Sequence, residues 1–178
     1  MNIPIRPAAR FFIPVAACIL TVSAARLADS TLSSDDSDFV KNAAKGNITE
    51  IDLGRLAAQK ATNPEVKTFA NRMIRDHSKA NEELTTLAAS KGLDVSKSAP
   101  FSEDISSIHL KMLSGKSFDE AYIKLMIDDH KEDVSAFQKE SESAQDTDVK
   151  RFASKILPIL RGHLTKIEHI QTDFSASK

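Results

Sequence analysis

The segment Asn63–His77, NPEVKTFANRMIRDH, decides the fold. Asn63 has a side-chain oxygen suited to capping the first free N–H groups of a helix. Pro64 fits the first helical position, where no N–H is needed, and Glu65 places negative charge against the positive end of the helix dipole. Val66, Phe69, Ala70 and Met73 then recur at intervals of three and four, which puts one apolar face on a helix. Leu84 and Leu87 continue that face, and Gly92 is placed to end the helix. The same stripe carries an imidazole, His77.

Reading outward, helical periodicity dominates the chain, and no alternating strand pattern is present. A first helix is expected from about Asp35 to Ala61, with Phe39, Ala43, Ile51, Gly54 and Ala57 or Ala58 inward. A third long helix is expected to start at the capping box Ser117-Phe-Asp-Glu120, with Phe118, Tyr122, Met126, Val134 and Phe137 inward. A fourth follows Asp146-Thr147, with Val149, Phe152, Ile156, Leu160, Ile167 and Ile170 inward. Pro158 is expected to kink it. The connection Leu93–Lys116 is long and should hold a short helix over 103–113, ended by Gly115. Two tight turns and one long crossover make an all-α, ferritin-like four-helix bundle. The domain is placed at residues 35–171, with a linker at 26–34 and a frayed tail at 172–178. VKTFA at 66–70 and VKRFA at 149–153 suggest two related hairpins, with Phe39 matched to Phe118.

The N-terminus is a separate element. Arg6 and Arg10 precede the apolar run Phe11–Ala25, and Ser23-Ala24-Ala25 offers small residues for cleavage, the pattern of a secretory signal over residues 1–25. The run is too short for a membrane span. Export to a periplasmic or extracellular space follows. Val15-Ala16-Ala17-Cys18 gives an alternative, cleavage before a lipid-anchored Cys18. Cys18 is the sole cysteine, so a chain cleaved after Ala25 holds no disulfide and depends on its core. That chain has 22 basic and 25 acidic residues, a net −3, with no basic patch to bind nucleic acid. Protein partners are not legible, and a homo-oligomer stays open.

The pieces SDFVKNAAKGNITEIDLGRLA, NPEVKTFANRMIRDH, GKSFDEAYIKLMIDDH and LPILRGHL, in that order, resemble the secreted bacterial family known as domain of unknown function 4142. The resemblance covers Asp35 to about Ile170. It implies a ferritin-like bundle in the bacterial envelope and no assigned reaction.

MIRDH at 73–77 returns as MIDDH at 126–130. His77, His130 and His163 all fall on apolar stripes, and Glu50 faces inward from the first helix. At about 1.5 Å per residue, all four lie near the middle of the bundle. Met73 and Met126 sit one turn before His77 and His130, on the same helix face. Three readings follow. The first is a non-enzymatic binding or stress-related module whose buried Glu/His cluster fixes helix register, since inward His and Met are commonly core residues. The second is a metal site for copper or zinc using His77, His130 and His163, with Glu50, Met73 and Met126 as further candidate ligands. The third, a di-iron oxidoreductase, lacks the Glu-x-x-His pairs that chemistry uses. Asp76 and Asp129 point about 100° from the histidines and are expected to orient neighbours or meet solvent.

Overall fold

The computed structural model describes residues 31–95 and 105–176. Over these residues it is all-helical: α1 (Ser34–Lys60), α2 (Pro64–Ser90), α3 (Ile105–Met112), α4 (Gly115–Ser143) and α5 (Thr147–Ala176). The signal segment, Cys18 and most of the 26–34 linker lie outside the described residues.

The four long helices pack as two hairpins, α1 with α2 and α4 with α5, and the hairpins meet along α2–α5 and α1–α4. Asn63 caps α2 as its sequence indicates, its Oδ1 accepting from Glu65 N at 2.8 Å and Val66 N at 3.3 Å. Gly92, at φ +68°, takes the left-handed conformation just beyond α2 that glycine tolerates best.

The half-repeat has a fixed offset. Residue numbers differ by 83 between Asp36 and Asp119, Asn63 and Asp146, and Val66 and Val149. Each pair performs one task. Asp146 Oδ1 caps α5 through Asp148 N and Val149 N, as Asn63 caps α2. Asp36, buried at the start of α1, accepts from Gln145 N at 3.2 Å and Asp146 N at 2.8 Å in the opposite turn. Asp119, buried at the start of α4, accepts from Thr62 N at 3.0 Å, Asn63 N at 2.9 Å and the Thr62 hydroxyl. Each hairpin therefore uses a buried carboxylate to cap the other hairpin's turn. This offset matches Phe39 to Tyr122, correcting its pairing with Phe118.

Several sequence expectations need correction. The Ser117–Glu120 capping box does not form. Helix α4 begins at Gly115 behind Ser114, whose side chain makes no cap bond, and Asp119 is committed to the α1–α2 turn. Gly115, at φ +58°, opens α4 rather than closing α3. The first half of α1 buries Asp36, Val40, Ala44 and Asn47, while Phe39 and Ala43 are only partly covered. The stripe shifts by one position because Asp36 must reach the far turn. The tail does not fray at Thr172: α5 runs to Ala176, and Phe174 is buried in the layer that holds Val66 and Phe118. Pro158 lies inside α5 without ending it.

The core has two apolar layers. One, toward the α1–α2 turn, includes Phe69, Met73, Tyr122, Met126 and Ile167. The other, toward the α4–α5 turn, includes Val40, Leu84, Phe137, Phe152 and Leu160. His77, His130 and His163 each fall in sequence between residues of the two layers, so a polar level separates them. Gly54 sets the approach of α1 to α2. A Cβ there would stand 2.9 Å from Ile74 Cγ1 and 3.0 Å from the Ala70 carbonyl oxygen. Backbone on one side leaves little room to relax, so Gly54→Ala is expected to cost about 1–3 kcal/mol by overpacking. A chemical-denaturation midpoint equal to wild type would contradict this.

Candidate metal centre

The three histidines meet. Ring centroids are 5.8 Å apart for His77 and His130, 5.5 Å for His77 and His163, and 5.4 Å for His130 and His163. One nitrogen from each ring lies within 4.8 Å of the other two. The rings are 4 %, 0 % and 1 % exposed in sequence order, which shields them from bulk solvent. Phe69 closes one side, edge-on to His130 and His163 at 6.3 and 6.4 Å.

Each ring is held by an acceptor. His77 Nδ1 lies 2.9 Å from Asn47 Oδ1 on α1, His130 Nδ1 lies 2.9 Å from the Met126 carbonyl, and His163 Nε2 lies 2.9 Å from Asp76 Oδ2. A carbonyl or carboxylate oxygen only accepts, so each of these nitrogens carries the proton. The opposite nitrogens then bear lone pairs. These are His77 Nε2, His130 Nε2 and His163 Nδ1, and none has a hydrogen-bond partner among the described protein atoms. This is the arrangement of metal-ligating histidines: one nitrogen fixed by a carbonyl or carboxylate, the other bare. An ion about 2.0–2.1 Å from each would need the nitrogens to draw in to about 3.5 Å of one another.

Electrostatics keep the trio neutral. Burial pushes His77 down to about 3, with His130 and His163 adding to the shift. Burial also pushes His130 down to about 4, with His163 adding and the Met126 carbonyl opposing. His163 is lowered as well, by burial first, with the Asp76 hydrogen bond opposing. Asp76 is lowered overall because His163, Arg72 and Arg75 outweigh its partial burial. The pair is therefore a neutral imidazole donating to a carboxylate.

A pH profile follows. The unfolded chain protonates its imidazoles near the ordinary value of 6.5, while in the folded chain His77 and His130 do not protonate until about 3–4 and His163 is lowered in the same direction. Stability from the trio is full above 6.5 and falls as pH drops toward 3, by about 1.4 kcal/mol per pH unit per ring. Glu50, Asp133 and Glu140 act oppositely. Burial foremost raises all three, Asp133 to about 6 and Glu140 to about 7, so the folded state holds protons there that the unfolded state lacks. That compensation ends near their ordinary values of 4.5 and 3.8. In chelator-treated protein, denaturation midpoints should change little from pH 6.5 to 4.5, then fall steeply. A steep loss beginning at 6.5 would contradict the neutral trio.

The sequence placed the three imidazoles together correctly, but not every companion. The contact from α1 is Asn47, one turn before Glu50. Glu50 is 3 % exposed and is not part of the imidazole group. Met73 and Met126 are fully buried in the adjoining apolar layer. Asp76 orients His163, as its position suggested. Asn47 was missed, although its number differs by 83 from that of His130, so the half-repeat pointed to it. His109 is exposed, and His169 pairs at the surface with Asp173 at 2.8 Å. The motifs MIRDH and MIDDH differ by 53 in number rather than 83, so they are not equivalents under the half-repeat. They lie on α2 and α4 and deliver imidazoles to one point from different directions.

Fold and site together define an all-helical protein with a buried tri-histidine centre. The chain belongs to the family described as a domain of unknown function, DUF4142, whose model matches residues 21–170. No curated protein matches it. Among solved structures it is similar to a DUF305 fragment from Deinococcus radiodurans, with a TM-score of 0.69 and 14 % identity over 78 % of this chain and 96 % of that one. It is also similar to CopM in its Cu(I)-bound form, with a TM-score of 0.67 and 19 % identity over 78 % of this chain and 96 % of that one. At these identities the likeness shows the fold. No helix among the described residues is long and apolar enough to cross a membrane.

Proposed function

We propose that the protein is an exported, non-enzymatic metal-binding bundle that holds one soft ion, Cu(I), between His77, His130 and His163. The observation that carries this reading is the meeting of three buried imidazoles, one nitrogen of each within 4.8 Å of the other two, every ring fixed by one hydrogen bond and left with one nitrogen that has no partner among the described protein atoms. A purely structural cluster gains nothing from unpaired lone pairs, because a buried acceptor without a donor costs about 1–3 kcal/mol. A cation shared among them removes that cost three times.

Charge favours a monovalent ion. The centre holds no carboxylate, and the nearest negative charge is Asp76, one imidazole away through His163. One positive charge is balanced by that carboxylate, whereas a divalent ion leaves an uncompensated charge in a desolvated core. Imidazole with thioether is a soft set, and Met73 or Met126 is placed one turn away to supply sulfur. CopM, a structural neighbour, has been solved with the monovalent ions Cu(I) and silver, which agrees with this choice, and also in a Cu(II)-bound form. The basic and apolar N-terminus supports export, and the helix order supports a ferritin-like bundle. The trio lacks the bridging carboxylates of a di-iron centre.

The second reading, a register-fixing polar level without metal, draws on the same outward bonds to Asn47, Met126 and Asp76. Anaerobic titration of the purified protein with Cu(I) against a competing chelator separates the two. One equivalent bound per chain supports the metal centre, and no stoichiometric uptake of Cu(I) or Zn(II) leaves the structural reading.

A further inference from the structure

The α1–α4 seam holds a second group of polar residues that the imidazole centre does not use. The 83-residue offset sets Glu50 on α1 in correspondence with Asp133 on α4, and Thr49 with Glu132. A recess of about 260 Å³ lies there, lined by both pairs together with Gly46 and Asp129. Glu50 forms its buried wall. The side chain is 3 % exposed, and its Oε2 has no hydrogen-bond partner among the described protein atoms. A Cβ built on Gly46 meets nothing within 4 Å, so the helix surface is bare on this side.

The recess opens into a larger groove on one side and shares α1 and α4 with the trio on the other. It shares Asn42 and Asp133 with a groove of about 530 Å³ that holds Asp35, Asp38 and Glu140. Inward, Glu50 stands one helical turn from Asn47, the partner of His77. Asp129 immediately precedes His130. A line of carboxylates thus runs along the groove and the recess, on the two helices that carry Asn47 and His130, with Lys45 and Lys139 as the basic residues along it.

We propose that this recess is a cation site, with Glu50, Asp129 and Asp133 holding a hydrated ion, and that it is the route by which metal reaches the three imidazoles. A buried carboxylate facing two others is costly unless a proton or a bound cation offsets it, and a cation that displaces the proton has all three carboxylates as partners. The carboxylates are not gathered into one ligand group, as the imidazoles are, so the ion keeps water between itself and some of them. Electrostatic focusing in a cleft lined by one sign of charge raises the local cation concentration. The route rests on the metal reading of the trio, whereas the recess does not.

The first arm of the test titrates the protein with Mn(II) at low ionic strength, followed by electron paramagnetic resonance. Wild type and His77→Ala/His130→Ala are expected to bind alike, and Glu50→Gln about tenfold more weakly. Equal binding by Glu50→Gln, or binding lost in the histidine variant, overturns the recess. The second arm follows uptake of Ag(I), a redox-inert stand-in for Cu(I), by stopped flow in chloride-free buffer. Gly46→Leu fills the bare surface and is expected to load about tenfold more slowly to the same stoichiometry, while Gly46→Ala loads at the wild-type rate. Gly46→Leu loading at the wild-type rate overturns the route. If wild type takes up no Ag(I), the metal reading falls and the route with it, and the Mn(II) arm still decides the recess.

Discussion

Asp119→Ala is expected to destabilise the protein by about 3–5 kcal/mol, because it removes a buried charged acceptor from three part-buried hydrogen bonds at once. Asp119 is 1 % exposed and holds the α1–α2 turn from the start of α4. Without it, Thr62 N and Asn63 N lose their partner, and the turn loses its tie to the other hairpin. At about 2–4 °C per kcal/mol for a chain of this size, the melting temperature should drop by roughly 10 °C. Asp119→Asn keeps one acceptor oxygen and should fall between. Asp36→Ala, which strips two donors in the opposite turn, should cost less than Asp119→Ala. Thermal and urea unfolding of the four proteins checks the order, and an Asp119→Ala protein as stable as wild type would remove the mutual capping from this account.

The second large effect is on binding. Replacing His77 and His130 together by alanine leaves one imidazole of three, and Cu(I) affinity should fall by about a thousandfold or more, since losing a group that only orients a ligand typically costs about 10–100-fold. The metal-free variant should lose stability, because a cavity opens and Asn47 Oδ1 is left without its donor, an effect reduced by removing two buried unpaired acceptors with the rings. Wild type should gain stability from metal, by about 2.7 kcal/mol when free ion is 100 times the dissociation constant. The double variant should gain none. A double variant that still binds one equivalent with wild-type affinity would place the ion elsewhere.

How far these results were legible in the sequence depends on what kind of pattern each rests on. The long helices follow from local signals: the Asn63-Pro64-Glu65 start, the apolar stripes and Gly92. The meeting of His77, His130 and His163 follows from the same stripes plus the constant helical rise, because three inward residues at matching distances from two turns must share a level. What failed depended on tertiary partners. Ser117–Glu120 reads as a capping box, but Asp119 has a stronger use across the bundle. Phe39 reads as core, but burying Asp36 rotates α1 so that Val40 and Ala44 face inward. Thr172–Ala176 reads as a tail, but Phe174 finds a place in the layer under α4. Glu50 was matched to the imidazoles by its height and its place on the inward side of α1. Height does not fix azimuth, and Asn47, three residues earlier, faces the trio while Glu50 turns toward the α1–α4 seam. The sequence also ranked a structural polar cluster above a metal site. The proposed function prefers the metal because of the bonds to Asn47, Met126 and Asp76, and no spacing rule could have supplied those bonds.

X-ray absorption at the copper edge, on protein loaded with one equivalent of Cu(I), tests the central claim most directly. The account predicts a first shell of about three nitrogens near 2 Å with the outer-shell scattering of imidazole rings, and a sulfur shell near 2.3 Å if Met73 or Met126 also ligates. A first shell of oxygens without imidazole scattering would put the ion among carboxylates and contradict the tri-histidine centre.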